Sequence, residues 1–66
     1  MNIGLKIKEL RKERGITQER LAEYLNISPQ AVSKWENGTA LPDITLIPTL
    51  VSVFEISADI LFGIEI

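Results

Sequence analysis

The chain has no cysteine and no histidine. The first absence removes disulfide staples, thiolate nucleophiles and thiolate metal ligands. The second removes the usual zinc sites, histidine acid–base chemistry and any group that titrates near neutrality by default. No cofactor or metal is expected. The longest stretch without charge, Ile44 to Phe54, is too short to span a bilayer and contains Pro48. Lys6 and Lys8 near the start are not followed by an apolar run, so a signal peptide is not expected either. A soluble cytoplasmic protein is the default reading, with no membrane partner. There is no linker, repeat or low-complexity segment. Sixty-six residues make one small domain, 1–66, whose core is marginal unless idealised or shared. So short a chain has little room for a ligand cavity, and no small-molecule ligand is expected.

Basic residues are also missing from the second half. All seven Lys and Arg lie in residues 1–38, where five Glu leave a net +2; residues 39–66 carry Asp43, Glu55, Asp59 and Glu65 and sum to −4. The overall charge of −2 is therefore a dipole, and only the first half is suited to face phosphate.

What is present is a series of short helical patterns separated by turn signals. Asn2 caps a first helix in which Ile3, Ile7 and Leu10 recur at helical spacing, with Gly15 as its stop. The other faces of that helix carry Lys6, Lys8, Arg11, Lys12 and Arg14, which suit a solvated face or a phosphate-facing one equally. Thr17 caps a second helix, with Ile16 and Leu21 at the spacing of a hydrophobic staple. Ile27, Ser28 and Val32 repeat the device for a third helix, where Pro29 takes the first helical position. Asn26 lies between them where the chain must turn sharply, and Asn tolerates a left-handed conformation better than most residues. Ala22 is small where two helices must cross. Asn37-Gly38 ends the third helix.

Leu41-Pro42-Asp43 leads into a fourth helix that is apolar almost all round: Ile44, Leu46, Ile47, Leu50, Val51, Val53 and Phe54. Pro48 is awkward inside it. Either a first turn ends before Pro48 or Thr45 acts as the effective cap. Ser57 caps a fifth helix stapled by Ile56 and Leu61 and stopped at Gly63. The expected class is all-α, five helices and no strand.

The third helix carries the chemistry. With Pro29 at zero on a helical wheel, Ser33, Asn37, Gln30 and Lys34 fall at about 40°, 80°, 100° and 140°, while Ala31, Trp35 and Val32 fall at about 200°, 240° and 300°. The second set is an apolar stripe for docking on the core. The first is short-chained and amide-rich, unlike an ordinary solvated face. Gln pairs with adenine, Lys donates to guanine O6 and N7, Ser33 reaches a base or a phosphate, and the methylenes of Pro29 suit a thymine methyl. Two short helices joined by a tight turn, the second so divided, fit a helix-turn-helix whose second helix enters the DNA major groove.

The run T-Q-E-R-L-A-E-Y-L-N-I-S-P-Q-A-V-S-K-W-E-N-G, preceded by L-K-I-K-E-L-R-K-E-R-G-I and followed by L-P-D and S-A-D-I-L-F-G, resembles the lambda-repressor/Cro-type helix-turn-helix family, also called the xenobiotic-response-element (XRE) family. The resemblance covers essentially the whole chain. It implies a compact five-helix lambda-repressor-like DNA-binding domain with helices 2 and 3 as the helix-turn-helix. It makes Gln18 a phosphate contact that also braces the recognition helix, puts Pro29, Gln30, Ser33 and Lys34 on base-reading positions, and puts Asn37 on a backbone-contacting one. Ser28, at the entrance of that helix, and Arg11 join the DNA-facing set. Arg11 and Glu36 match a structural ion pair, for which the alternative is a surface bridge worth well under ~1 kcal/mol. Asn26 stands where the family usually has Gly. Pro29 replaces a residue able to hydrogen-bond a base, so specificity leans on Gln30 and Lys34, with DNA shape contributing.

The resemblance further implies a homodimer on a palindromic double-stranded operator, with recognition helices about 34 Å apart. The bulky tail Leu61, Phe62, Ile64 and Ile66 is the expected dimer interface, because exposed apolar patches mark interfaces. The competing explanation is that Ile66 is followed by further chain that covers the patch. The leading functional expectation is a sequence-specific transcriptional regulator of the repressor type. A protein-interaction module, such as an antitoxin gripping a partner through its apolar second half, is the alternative. An enzyme is not expected, since no paired carboxylates, metal-ligand cluster or phosphate-cradling Gly-rich loop occur.

Overall fold

The computed structural model of the protein describes residues 2–64. Among them it has five α-helices and no strand: α1 (Ile3–Glu13), α2 (Gln18–Leu25), α3 (Pro29–Glu36), α4 (Ile47–Phe54) and α5 (Ala58–Phe62). A single 3-10 turn, Ile44–Leu46, precedes α4.

The helix starts lie where local side-chain chemistry puts them. Asn2 Oδ1 accepts the Leu5 N–H at 3.0 Å and Thr17 Oγ1 accepts the Arg20 N–H at 3.0 Å. Ser28 and Ser57 Oγ accept the N–H of Ala31 and Ile60, both at 3.3 Å. Each satisfies one of the donors that a helix N-terminus leaves free. Asn26 ends α2 at φ +59, and Ile27 N–H donates back to the Ala22 carbonyl. That closure turns the chain tightly enough for α3 to start three residues later.

Pro48 resolves as the first of the two arrangements. The 3-10 turn ends before it and α4 begins at Ile47, so Pro48 falls in the first helical turn, where a missing N–H leaves no bond unmade. The cap of the turn is Asp43, whose Oδ1 accepts both the backbone N–H and the hydroxyl of Thr45 at 2.9 Å; Thr45 donates and does not cap. Glu55 ends α4 in the left-handed region at φ +56, a conformation that nothing in its residue type signals.

One core draws on every helix: Ile3, Ile7 and Leu10 from α1, Leu21, Ala22 and Leu25 from α2, Val32 and Trp35 from α3, Leu50 and Phe54 from α4, and Leu61 from α5. The staple residues Ile16, Ile27 and Ile56 pack against its edge. α3 packs on both α1 and α2, so its orientation is set from two sides. The apolar stripe of α3 is narrower than its wheel suggests. Val32 and Trp35 are buried, but Ala31 is only half-buried, because the docking face of an eight-residue helix is used up by the two larger side chains.

One correction concerns the second half. Of the apolar residues expected in the fourth helix, Ile44 lies in the 3-10 turn before α4 and stays 81% exposed, as does Leu41 at 79% ahead of it. Leu61, expected at a dimer interface, is completely buried and has no surface to offer a second copy. Its staple with Ile56 and the docking of α5 on α1 turn it inward. Phe62 is half-buried and Ile64 is 53% exposed, so of the expected interface these two carry accessible apolar surface. Ile66 lies outside the described residues.

Candidate nucleic-acid interface

The end of α3 is held by a half-buried polar triad. Arg11 Nε donates to Glu36 Oε2 at 2.7 Å and Arg11 Nη2 to Glu36 Oε1 at 2.9 Å, a bidentate pair of the strong, planar kind. Gln18 Nε2 donates to Glu36 Oε1 at 3.1 Å. The side chains of Arg11 and Glu36 are only 12% and 4% exposed. Arg11 Nη1 donates to the Ile16 carbonyl at 2.9 Å. One guanidinium therefore ties together α1, the α1–α2 connection and the last turn of α3, and Gln18 adds the first turn of α2. The expected ion pair is present and it is internal, not a surface bridge.

This geometry separates the two roles expected of Arg11. Each of its three nitrogens is engaged inside the protein, through three of its five N–H groups, so it positions the recognition helix and keeps one N–H on each terminal nitrogen. Gln18 keeps one amide hydrogen beyond its bond to Glu36, the donor that a phosphate contact needs.

On the outer side of α3, Gln30, Lys34 and Asn37 are exposed and Pro29 and Ser33 half-buried. Among the described residues Gln30 and Lys34 make no side-chain hydrogen bond or ion pair. Asn37 Oδ1 accepts from the backbone N–H of Thr39 at 3.0 Å and from its hydroxyl, which leaves the amide nitrogen as its outward donor. Ser28 is exposed at the opposite end and its hydroxyl oxygen caps the helix. The structure thus brings Gln18, Ser28, Pro29, Gln30, Ser33, Lys34 and Asn37 along one helix and its margin, and places Arg11 behind them.

Two residues that position this face gave no clear signal in the sequence. Gly4 sits inside α1 against the end of α3, where an added Cβ would overlap the Trp35 carbonyl oxygen. Its only mark is a glycine within a helical pattern, with no turn to explain it. Arg14 donates through Nη2 to the Phe54 carbonyl and lies 5.8 Å from the centroid of the Phe54 ring, so it caps α4 from α1.

Burial pushes the Glu36 carboxyl up, but hydrogen bonds from Arg11 and Gln18, with the charges of Arg11 and Lys8, outweigh it and hold the group below its ordinary value of 4.5. A depressed folded value gives stability that is complete above the unfolded value and is lost as pH falls through the folded one. The urea midpoint is therefore expected to fall as pH drops below about 4.5, and Glu36→Gln should flatten that fall. Asp43, held low by the backbone N–H and hydroxyl of Thr45, adds a slope of the same sign that Glu36→Gln leaves in place. An acid profile unchanged by Glu36→Gln would show that the triad is not what titrates.

Away from this face, Ile3, Leu41, Pro42, Ile44, Ile47 and Phe62 line an open apolar groove of about 300 Å³.

A two-helix unit with a tight turn, an exposed polar face on its second helix and a half-buried brace behind it defines a helix-turn-helix protein. The helix-turn-helix family model matches residues 7–61, and the chain belongs to that family. The HTH-type transcriptional activator BcrR of Enterococcus faecalis is 35% identical over 65 residues, which are 98% of this chain and 32% of that protein. The HTH-type transcriptional regulator ImmR of Bacillus subtilis is 35% identical over 63 residues, 96% of this chain and 50% of that one. The chain thus spans between a third and a half of the length of these relatives. The crystal structure of the P22 c2 repressor with a synthetic operator superposes with a TM-score of 0.87 at 26% identity, covering 98% of both chains. The fold is lambda-repressor-like, as the sequence motifs imply.

Proposed function

We propose that this chain is the sequence-specific, double-stranded-DNA-binding unit of a cytoplasmic transcriptional regulator. It inserts α3 into the major groove and represses by occluding a promoter. The observation that carries this reading is the face of α3, where Gln30 and Lys34 have no partner among the described residues while Arg11, Glu36 and Gln18 fix the helix from behind. A helix fixed before binding needs only its side chains ordered on meeting base edges. The name of the P22 structure, a repressor on an operator, supports the same mode, while BcrR is called an activator.

The operator on this reading is palindromic and bound by a homodimer. Phe62 and Ile64, with the neighbouring groove, supply an apolar surface of the kind that twofold contacts use. The same surface favours a second reading, an interaction module for another protein. A stoichiometric foreign protein that co-purifies through residues 44–64, in place of a second copy, would select that reading.

Selection of bound sequences from a random DNA pool is expected to return a motif with half-sites one helical turn apart. Gln30→Ala should then lose discrimination at one base position by about 1–3 kcal/mol and leave the others unchanged. Equal affinity of the wild type for the selected and the scrambled duplex would overturn the proposal.

A further inference from the structure

We propose that the cleft between α1 and the end of α3 is a phosphate-binding site, in which Lys8 and Lys12 hold the DNA backbone beside the recognition helix. The inference rests on the DNA-binding reading above and adds residues to it from outside the helix-turn-helix.

The distribution of ion pairs singles out these two lysines. Lys6 pairs with Glu9, Arg14 with Glu13 and Arg20 with Glu23, and Arg11 is engaged by Glu36. Lys8, Lys12 and Lys34 make no contact ion pair with a carboxylate among the described residues, and Lys8 acts on Glu36 only through its charge across the cleft. Of these, Lys34 lies on the exposed face of α3, and Lys8 and Lys12 line one cleft of about 390 Å³ with Arg11, Gln18, Ser33, Glu36 and Asn37. In a chain whose net charge is −2, unneutralised positive charge is thus gathered on one side.

Lys8 and Lys12 are four residues apart, so they project from the same side of α1, about 6 Å from each other along its axis. Glu36 in the cleft would repel an anion, but the bidentate guanidinium of Arg11 matches its charge. What remains is the charge of two ammonium groups, together with neutral donors: the Ser33 hydroxyl, the Asn37 amide and the second amide hydrogen of Gln18. That combination suits a phosphodiester oxygen, which accepts and does not donate. Ser33 and Asn37 belong both to the cleft and to the polar face of α3, so a strand seated on the lysines continues directly onto the base-reading helix.

The test compares the double variant Lys8→Gln/Lys12→Gln with Lys6→Gln, whose lysine is already paired. Binding of the selected and the scrambled duplex is followed across a series of salt concentrations, with circular dichroism confirming that each variant keeps its helices. The double variant is expected to flatten the slope of log affinity against log salt by about 1 for each lysine. Affinity for the two duplexes should fall by the same factor, and their ratio should stay that of the wild type. Lys6→Gln should leave the slope as it is. A slope unchanged in the double variant, an equal flattening in Lys6→Gln, or a loss confined to the selected duplex would each overturn the proposal. If the wild type discriminates no sequence, the regulator reading fails, and the slopes on scrambled DNA still decide the cleft.

Discussion

Arg11→Ala is expected to destabilise the domain by about 2–3 kcal/mol, the upper part of the range for hydrogen bonds to charged groups, because the pair is part-buried. Glu36 would be left with its side chain 4% exposed and one neutral donor, Gln18, where it had a bidentate cation. The Ile16 carbonyl would lose its donor as well. A core of this size supplies only about 3–5 kcal/mol in total, so the variant should keep little of the stability of the domain. Thermal or urea denaturation checks this directly. A loss under ~1 kcal/mol would mean that the pair behaves as an exposed bridge. The double change Arg11→Met/Glu36→Leu should recover much of the stability, because replacing a whole buried pair by apolar groups of similar size is often neutral or better. It removes the brace between α1 and α3 in the same step. If the recovered protein binds its selected duplex as tightly as the wild type, the triad serves folding alone; weakened binding at restored stability would separate its positioning role from its structural one.

Gly4→Ala is the second large effect, and its sign is opposite to the usual one. Inside a helix, Ala is normally better than Gly by up to about 1 kcal/mol. At residue 4 the new methyl meets the Trp35 carbonyl oxygen and crowds the backbone of α3. Neither is the flexible end of a side chain, so the helices must part. A cost of about 1–3 kcal/mol is expected, read as a fall in melting temperature of roughly 4–8 °C for each kcal/mol in a domain of this length. The parting also displaces the last turn of α3, which bears the base-facing Lys34, so affinity for the selected duplex should fall more than that for scrambled DNA. A melting temperature at or above that of the wild type would show that α1 and α3 do not approach as closely as described.

These two positions show why part of the molecule was legible in the sequence and part was not. Caps, staples and stops act over two to five residues, and a chain fragment contains all the atoms involved. Asn2, Thr17, Ser28 and Ser57 therefore start helices where their hydroxyl or amide oxygens dictate, and Asn26 turns the chain as its residue type allows. The division of α3 into an apolar and a hydrogen-bonding half follows from its periodicity. Ala31 and Leu61 mark the limit of that reasoning. Periodicity says which residues share a side, but the depth of burial depends on what the opposing helix brings, and it left Ala31 half-buried while burying Leu61 fully.

By itself, the sequence determined where α1, α2, α3 and α5 begin, the polar face of α3 and the charge dipole, because each follows from covalent neighbours or from counting. The family motifs implied the pairing of Arg11 with Glu36. Tertiary structure alone decided that this pair is largely shielded from water, that Arg14 reaches across forty residues to cap α4, and that Gly4 must have no side chain. It also decided which lysines are left without a contact ion pair. The physical reason is common to all four. Burial, close approach and ion pairing depend on distances between segments remote in the chain, and those distances exist only once the helices have packed.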